Sequence, residues 1–275
     1  MSDAPPRIAF VGGGNMARSI IGGLLEAGHP ASAVAVGEPD RQARERLAGL
    51  GPIELPDANE AVVAGADLVV LAVKPQVMRA VATPLARPLA EAGAVVMSIA
   101  AGIECAMLER WLGALPIVRC MPNTPSLVGA GAAGLYATEA VDAPGRALAT
   151  KVMEAVGAAV WVEDEALVDA VIAVSGSGPA YFFLIMEKMV ATGVELGLEE
   201  STARALVLQT ALGAARMATE AGVAPAELRR QVTSPGGTTA AAIAAFEDGG
   251  LGDLIDRAMR EAVARAGALA RELDG

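Results

Sequence analysis

Residues 7–17 read Arg7-Ile8-Ala9-Phe10-Val11-Gly12-Gly13-Gly14-Asn15-Met16-Ala17, and this stretch decides the fold. An apolar strand over 8–11 runs straight into G-x-G-x-x-A, and a helix follows over 16–27. Strand, glycine turn and helix in that order form the dinucleotide-binding fingerprint. Gly12 makes the tight turn, Gly14 lets the backbone approach a pyrophosphate, and Ala17 stands for the third glycine while still permitting close helix–strand packing. Gly13 completes the loop. Asn15 and Met16 open the helix and present backbone N–H groups to an anion. The plainer alternative is a glycine-rich turn without a ligand.

Working outward, apolar runs at 34–36, 68–73, 95–99 and 118–121 alternate with helical patterns at 41–50, 59–64, 77–89 and 105–112. This is a βαβ series, hence a parallel sheet with helices on both faces. Near-continuous Val, Leu and Ile strands fit burial on both sides. Residues 128–136 and 160–162 add further strands, expected to be antiparallel. From Ala166 onward the pattern is helical only, over 179–196, 201–221, 225–232, 238–248 and 251–273, punctuated by glycines. The fold expected is α/β: an N-terminal Rossmann domain, doubly wound and mostly parallel, over 1–163, and an all-α domain over 164–275. The helix at 179–196 is too apolar for an ordinary surface helix and reads as a central core helix or a subunit interface.

The 275 residues carry a net charge of −11, which argues against non-specific nucleic-acid binding. Hydrophobic residues make up 53% and aromatics 3%, so the core is aliphatic. No apolar stretch reads as a membrane span and residues 1–7 lack a signal-peptide pattern, so a cytoplasmic protein is expected. Cys105 and Cys120 are isolated and read as packed thiols. His29, the single histidine, lies between Gly28 and Pro30 and reads as a surface turn residue. A transition-metal site is therefore not expected, and the chemistry does not use a histidine proton relay.

A nicotinamide enzyme needs phosphate binding, ribose recognition, a nicotinamide slot and a substrate anchor. Glu38 lies 21 residues after Ala17, at the end of the second strand, where an acid accepts from ribose hydroxyls. A carboxylate there repels a 2′-phosphate and favours NADH, whereas Arg41 and Arg44 are positioned to favour NADPH. Lys74, in Ala72-Val73-Lys74-Pro75, sits where Pro75 stops the third strand, within reach of a ribose or a substrate carboxylate. Asn59 reads locally as a helix cap. Asn123 and Thr124, in a Pro-flanked turn after the fifth strand, are candidates for a nicotinamide amide or a substrate. Residues 98–102, Ser-Ile-Ala-Ala-Gly, are small enough for a stacked ring. The segment 174–181, Val-Ser-Gly-Ser-Gly-Pro-Ala-Tyr, reads as a hinge, a backbone-contact loop or a helix start. Within the helical half, Ser234-Pro235-Gly236-Gly237-Thr238-Thr239 breaks the pattern. It frees amides in a tight turn at a helix start, or it is an ordinary interhelix turn with a Thr cap.

FVGGGNMA (10–17), AVKPQ (72–76), SIAAG (98–102), RCMPNTP (119–125), VSGSGPAY (174–181) and VTSPGGTT (232–239) together resemble pyrroline-5-carboxylate reductases, across essentially the whole chain. The resemblance implies reduction of 1-pyrroline-5-carboxylate to proline with NADPH or NADH. It implies a helical domain interlocked in a homodimer, with a higher oligomer such as a decamer built from it. It implies that Gly12, Gly13, Gly14, Asn15, Met16, Ala17, Glu38, Asn59, Ala72, Val73, Lys74, Pro75 and Ala100 line the cofactor, where the local reading also places Asn123. Glu165 matches an acidic residue of the family's ligand site. Gly236, Gly237, Thr238 and Thr239 are implied for the substrate, Thr239 as the catalytic hydroxyl on the ring nitrogen; Ser234 and Lys74 are added to that set as expected substrate contacts. Two departures stand out: Gly-Gly-Gly where Gly-Ala-Gly is usual, and Glu38 where NADPH-using relatives often carry Ser. The rival readings are another Rossmann imine reductase, a 3-hydroxyacid dehydrogenase, or a silent cofactor-binding protein.

Overall fold

The structure, a computed structural model, describes residues 4–274. The reading of the N-terminus and the outer ends of the two domain ranges extend to residues outside that span. Strands β1 (Ile8–Val11), β2 (Val34–Gly37), β3 (Leu68–Leu71), β4 (Val95–Ser98), β5 (Ile117–Met121), β6 (Gly131–Ala137) and β7 (Gly157–Trp161) form one sheet in the order β2-β1-β3-β4-β5-β6-β7. The first five are mutually parallel, β6 is antiparallel to β5, and β7 is parallel to β6. Both late strands therefore run against the first five. The β6–β7 pair is parallel because a helix crosses between them.

Helices α1 (Asn15–Glu26), α2 (Arg41–Ala48), α3 (Asn59–Val63), α4 (Pro75–Ala82), α5 (Ala86–Ala92), α6 (Cys105–Leu112) and α7 (Ala143–Glu154) cover the two faces of the sheet. Strand alternation sorts the core. Ile8, Phe10, Val34 and Val36 face α1, α2 and α7 through Ile20, Ile21, Leu47 and Val152. Ala9, Val11, Val69 and Leu71 face α3 to α6 through Val62, Met78, Leu89 and Leu108. Two aliphatic layers result, as the Rossmann reading expects. The strand order reverses at β1, so the β1/β3 carboxyl ends make the crevice where such sheets bind ligands.

Four local expectations are corrected. The helix expected at 77–89 is two helices, α4 and α5, separated by a 3-10 turn at Thr83–Leu85 that contains Pro84. Helix α7 was not expected, although Asp142 caps it by accepting from the Gly145 N–H at 2.8 Å. His29 is buried, not a surface residue, because its turn folds back and its N–H donates to the Leu24 carbonyl at 2.9 Å. Burial lowers its pKa, helped by the nearby Lys151 charge. One helical run, Leu167–Glu195, is long and apolar enough to cross a membrane by length and composition.

That run comprises α8 (Leu167–Val171), a π-helical turn at Ile172–Gly176, and α9 (Gly178–Glu195). Then follow α10 (Glu200–Glu220), α11 (Pro225–Gln231), α12 (Thr238–Asp248) and α13 (Leu251–Asp274). The chain divides into two compact units. One runs through Ser177 and includes the stretch from Ala262; the other is Gly178–Glu261. The helical unit is sparsely buried. Ala203 and Val207 are its only buried apolar residues, while Phe182, Phe183, Leu184 and Ile185 are each at least half exposed. A domain of that composition requires apolar surface from elsewhere to complete its core.

Candidate active site

The glycine loop is built by backbone geometry. Gly12 has φ +100°, and a Cβ there would meet the Ala72 carbonyl group at 2.9 Å. Its N–H donates to the Gly37 carbonyl at 2.8 Å, and the Ala72 N–H donates to the Val11 carbonyl at 2.8 Å. The ends of β1, β2 and β3 are thus locked side by side. A Cβ on Gly13 would collide with Leu47 at 2.5 Å. Gly14 is the N-cap of α1 with no side-chain cap, and open space lies where its Cβ would be. The amides of Asn15, Met16 and Ala17 have no partner one turn back in the helix. Backbone donors left without helical partners, beside open space at the Gly14 Cβ position, fit a pyrophosphate, so the residues present fit a dinucleotide. Ala17 is buried in the core, Met16 is half-buried, and Asn15 is exposed.

Glu38 follows β2 directly. Its Oε2 accepts from the Gly13 N–H at 2.7 Å and its Oε1 from the Asp40 N–H at 2.8 Å. The carboxylate is therefore fixed against the phosphate loop. Arg44 is not free to meet a phosphate: it donates to the carbonyls of Leu55 (2.7 Å) and Pro56 (3.2 Å) and pairs with Asp57. Arg41 is 91% exposed and, among the described residues, pairs only with Glu45 in its own helix. Asn59 is not a cap; the N-cap of α3 is Ala58. The Asn59 amide oxygen instead fills the space beside Gly37, 2.2 Å from where a Cβ would stand.

Val73 packs over Gly12. Lys74, exposed, is the N-cap of α4, with Pro75 as the first helical residue. At the end of β4, Ser98 and Ala100 are buried, and the Ser98 hydroxyl accepts from the Ala100 N–H at 3.4 Å. Asn123 is buried and engaged. Its side-chain oxygen accepts from the Ala132 N–H at 2.9 Å and its NH2 donates to the Ser175 carbonyl at 3.0 Å. It ties three backbone segments together, which is more than the free ligand-facing amide expected from sequence. Thr124 is exposed at the start of a 3-10 turn.

Glu165 sits elsewhere, at the start of α6. Its Oε1 accepts from the Cys105 N–H at 2.8 Å and pairs with Arg119 at 3.2 Å. Arg119, 4% exposed, also pairs with Asp169 at 3.3 Å. Sequence reasoning passed over Arg119 and Asp169; the available signal was a lone charge inside an apolar strand, which demands a partner. The neighbouring thiols of Cys105 and Cys120 are buried and free, and burial raises the pKa of each. Among the described residues no cluster of His, Cys, Asp and Glu is arranged to hold a metal.

In the helical unit, Ser234 to Gly237 form a type II turn. The Gly237 N–H donates to the Ser234 carbonyl at 3.0 Å and Gly236 has φ +70°. Pro at the second position and Gly at the third suit that turn. Gly237, not a threonine, is the N-cap of α12. Its amide is consumed by the turn, so the amides left open are those of Thr238, Thr239 and Ala240. Thr238 and Thr239 are exposed, as are Ser234 and Gly236.

In unit one, therefore, residues 12–17, Glu38, Asn59, Ala72, Val73, Lys74 and Pro75 gather at the carboxyl ends of β1 to β3. Ala100 and Asn123 follow at the ends of β4 and β5. The turn at 234–239 belongs to the other unit.

Two family models match: pyrroline-5-carboxylate reductase dimerisation over residues 165–269, and NADP oxidoreductase, coenzyme F420-dependent, over residues 7–102. A pyrroline-5-carboxylate reductase of Pseudomonas aeruginosa is 52% identical over 269 residues, 98% of each chain. One from Haemophilus influenzae is 44% identical, covering 94% of this chain and 96% of the relative. Among solved structures, a pyrroline-5-carboxylate reductase from Coxiella burnetii superposes with a TM-score of 0.94 at 43% identity, over 97% of this chain and 99% of the other. A Plasmodium falciparum pyrroline carboxylate reductase with NADP bound gives 0.83 at 26% identity, over 96% and 98%.

Proposed function

This chain belongs to the pyrroline-5-carboxylate reductase family, and from that premise we propose how its residues divide the work. The reaction reduces the C=N bond of 1-pyrroline-5-carboxylate to give proline, the last step of proline biosynthesis. A nicotinamide cofactor supplies the hydride. The glycine loop holds its pyrophosphate through the amides opening α1, and Glu38 and Asn59 take the adenosine ribose. Lys74, Val73 and Ala100 flank the remainder. The observation that carries this reading is the open Gly14 N-cap with unpaired amides behind it.

The substrate is a small anionic ring. The turn at 234–239 offers the amides of Thr238, Thr239 and Ala240 to its carboxylate. The Thr239 hydroxyl hydrogen-bonds the ring nitrogen and orients the imine. A protonated imine is already electrophilic, so the buried His29 is not required as an acid. Orientation of the imine carbon supplies much of the rate.

NADH is the proposed preference. Its support is the pinned Glu38 carboxylate together with the commitment of Arg44 to backbone carbonyls. Support for a small-molecule enzyme working in the cytoplasm comes from the net charge of −11 and two free, buried cysteines. The dimerisation match and the exposed apolar residues of the helical unit make the chain self-associating. A dimer as minimum unit, enlarging to a ring such as a decamer, is the assembly proposed, with 1–163 and 164–275 as working domains. Leu167–Glu195 lies wholly within the dimerisation match, which supports a protein partner over lipid for its apolar faces.

A hydroxyacid dehydrogenase would need a helical-domain lysine. Lys188 is the single lysine after residue 151, and it is 70% exposed and paired with Glu187. The deciding experiment follows NADH or NADPH consumption with pyrroline-5-carboxylate. Turnover is expected; none with either cofactor would overturn the reading.

A further inference from the structure

Gly13 is buried in the loop after β1, and its backbone does not require glycine. Gly12 has φ +100°, which favours glycine, whereas Gly13 does not have a positive φ. What excludes a larger residue is the surroundings. A Cβ on Gly13 would stand 2.5 Å from the Cδ1 of Leu47, 3.1 Å from the Cβ of Glu38 and 3.2 Å from its Cγ. Leu47 belongs to α2 and is fully buried, so its δ-carbon has little room to retreat. The space a side chain at position 13 would take is already filled, by α2 and by the stem of Glu38.

The same glycine fixes the head of that side chain. The Gly13 N–H donates to Oε2 of Glu38 at 2.7 Å, and the Asp40 N–H, at the N-cap of α2, donates to Oε1 at 2.8 Å. Each oxygen keeps a further lone pair for a ligand hydroxyl. A glutamate held only by its own stem turns about its side-chain bonds and swings away from an approaching anion. One held at both oxygens moves only by breaking two hydrogen bonds, so it presents a fixed negative charge. Stem and head both depend on the absence of a Cβ at residue 13.

We infer that Gly13 is a specificity-determining residue, acting through Glu38. It leaves room for the Glu38 stem and pins the carboxylate, which makes Glu38 a rigid barrier to a 2′-phosphate on the adenosine ribose. Glu38 without Gly13 discriminates poorly between the two nicotinamide cofactors, and Gly13 without Glu38 does not discriminate at all. A methyl group at position 13 pushes on the Glu38 stem directly. Through Leu47 it also pushes on α2, whose N-cap amide holds the other carboxylate oxygen.

This rests on the NADH preference proposed above, and the test separates the two. Titration calorimetry of the full chain, without substrate, gives Kd for NAD+ and NADP+ in wild type, Gly13→Ala, Glu38→Ser and the double variant. The readout is the ratio of Kd for NADP+ to Kd for NAD+. General damage to the phosphate loop weakens both dinucleotides alike and leaves that ratio in place, because both carry the same pyrophosphate. Gly13→Ala should lower the ratio about ten-fold when Glu38 is present and leave it unchanged in the Glu38→Ser background. The ratio of kcat/KM values for NADH and NADPH should move with it. If circular dichroism shows Gly13→Ala unfolded, Gly13→Ala/Leu47→Val takes its place, compared with Leu47→Val alone. That variant removes the colliding δ-carbon and keeps the contact with Glu38. An unmoved ratio in Gly13→Ala, beside a lowered one in Glu38→Ser, would overturn the role of Gly13 alone. An equal change in both backgrounds would overturn it too, since Gly13 would then act without Glu38. A wild type that binds NADP+ more tightly, with a ratio that Glu38→Ser leaves unchanged, would overturn the NADH reading itself.

Discussion

Replacing Arg119 with methionine removes the cation at the centre of a buried ionic cluster and keeps the side-chain length. Arg119 is 4% exposed and is shared by Glu165 at 3.2 Å and Asp169 at 3.3 Å, whose side chains are about a quarter exposed. Breaking one side of a fully buried pair costs about 3–5 kcal/mol because the partner charge is left uncompensated. Here two carboxylates lose their partner, but each reaches some water, and Glu165 keeps the Cys105 N–H at 2.8 Å. The expected loss is about 2–4 kcal/mol. With a urea slope of about 2 kcal/mol/M, the midpoint should fall by about 1–2 M. Urea unfolding at one fixed protomer concentration measures it, because association shifts the midpoint independently. Arg119→Met combined with Glu165→Gln and Asp169→Asn should recover a large part of the loss, since the carboxylates are then gone too. If Arg119→Met alone unfolds at the wild-type midpoint, the cluster contributes nothing and the reasoning fails.

Two further outcomes follow from the same contacts. Glu38→Ser should shift the ratio of kcat/KM values from NADH toward NADPH by about 10- to 100-fold, because a carboxylate that repels a 2′-phosphate is gone; an unmoved ratio removes Glu38 from cofactor selection. Burial lowers the pKa of His29 in the folded chain from its ordinary 6.5, so the unfolded chain takes up the proton first as pH falls. Its contribution to stability is whole above 6.5 and is lost as pH falls through the folded value. The midpoint difference between wild type and His29→Gln should therefore shrink on acidification from pH 7 toward pH 5, and a constant difference would refute it.

The Rossmann half was legible because its signals are local. Strand, glycine turn and helix follow one another within residues 7–27, and the Val, Leu and Ile runs of β1 to β5 need no distant information. Where partners lie far apart in sequence, reading failed. Arg119 sits in an apolar strand and its carboxylates come 46 and 50 residues later. His29 looked like a turn residue between Gly28 and Pro30, and only the fold shows that the turn packs inward. Helix α7 opens Asp-Ala-Pro-Gly, which mimics a loop, although proline in a first turn and an aspartate cap are helix-start chemistry. Asn59 resembles a cap by residue type alone, whereas its packing against Gly37 is a tertiary contact. At 234–239 the turn was legible, but the loss of the Gly237 amide to the Ser234 carbonyl was not, since Pro-Gly-Gly allows more than one turn type.

The turn after Ser234 is proposed to hold the substrate ring, with Thr239 orienting its nitrogen. The kcat/KM of Thr239→Ala against wild type, with pyrroline-5-carboxylate and saturating cofactor, tests it most directly. A fall of about ten- to a thousand-fold is expected, a few kcal/mol of transition-state stabilisation at most, with Thr239→Ser recovering much of it. Unchanged kinetics in Thr239→Ala would contradict the claim.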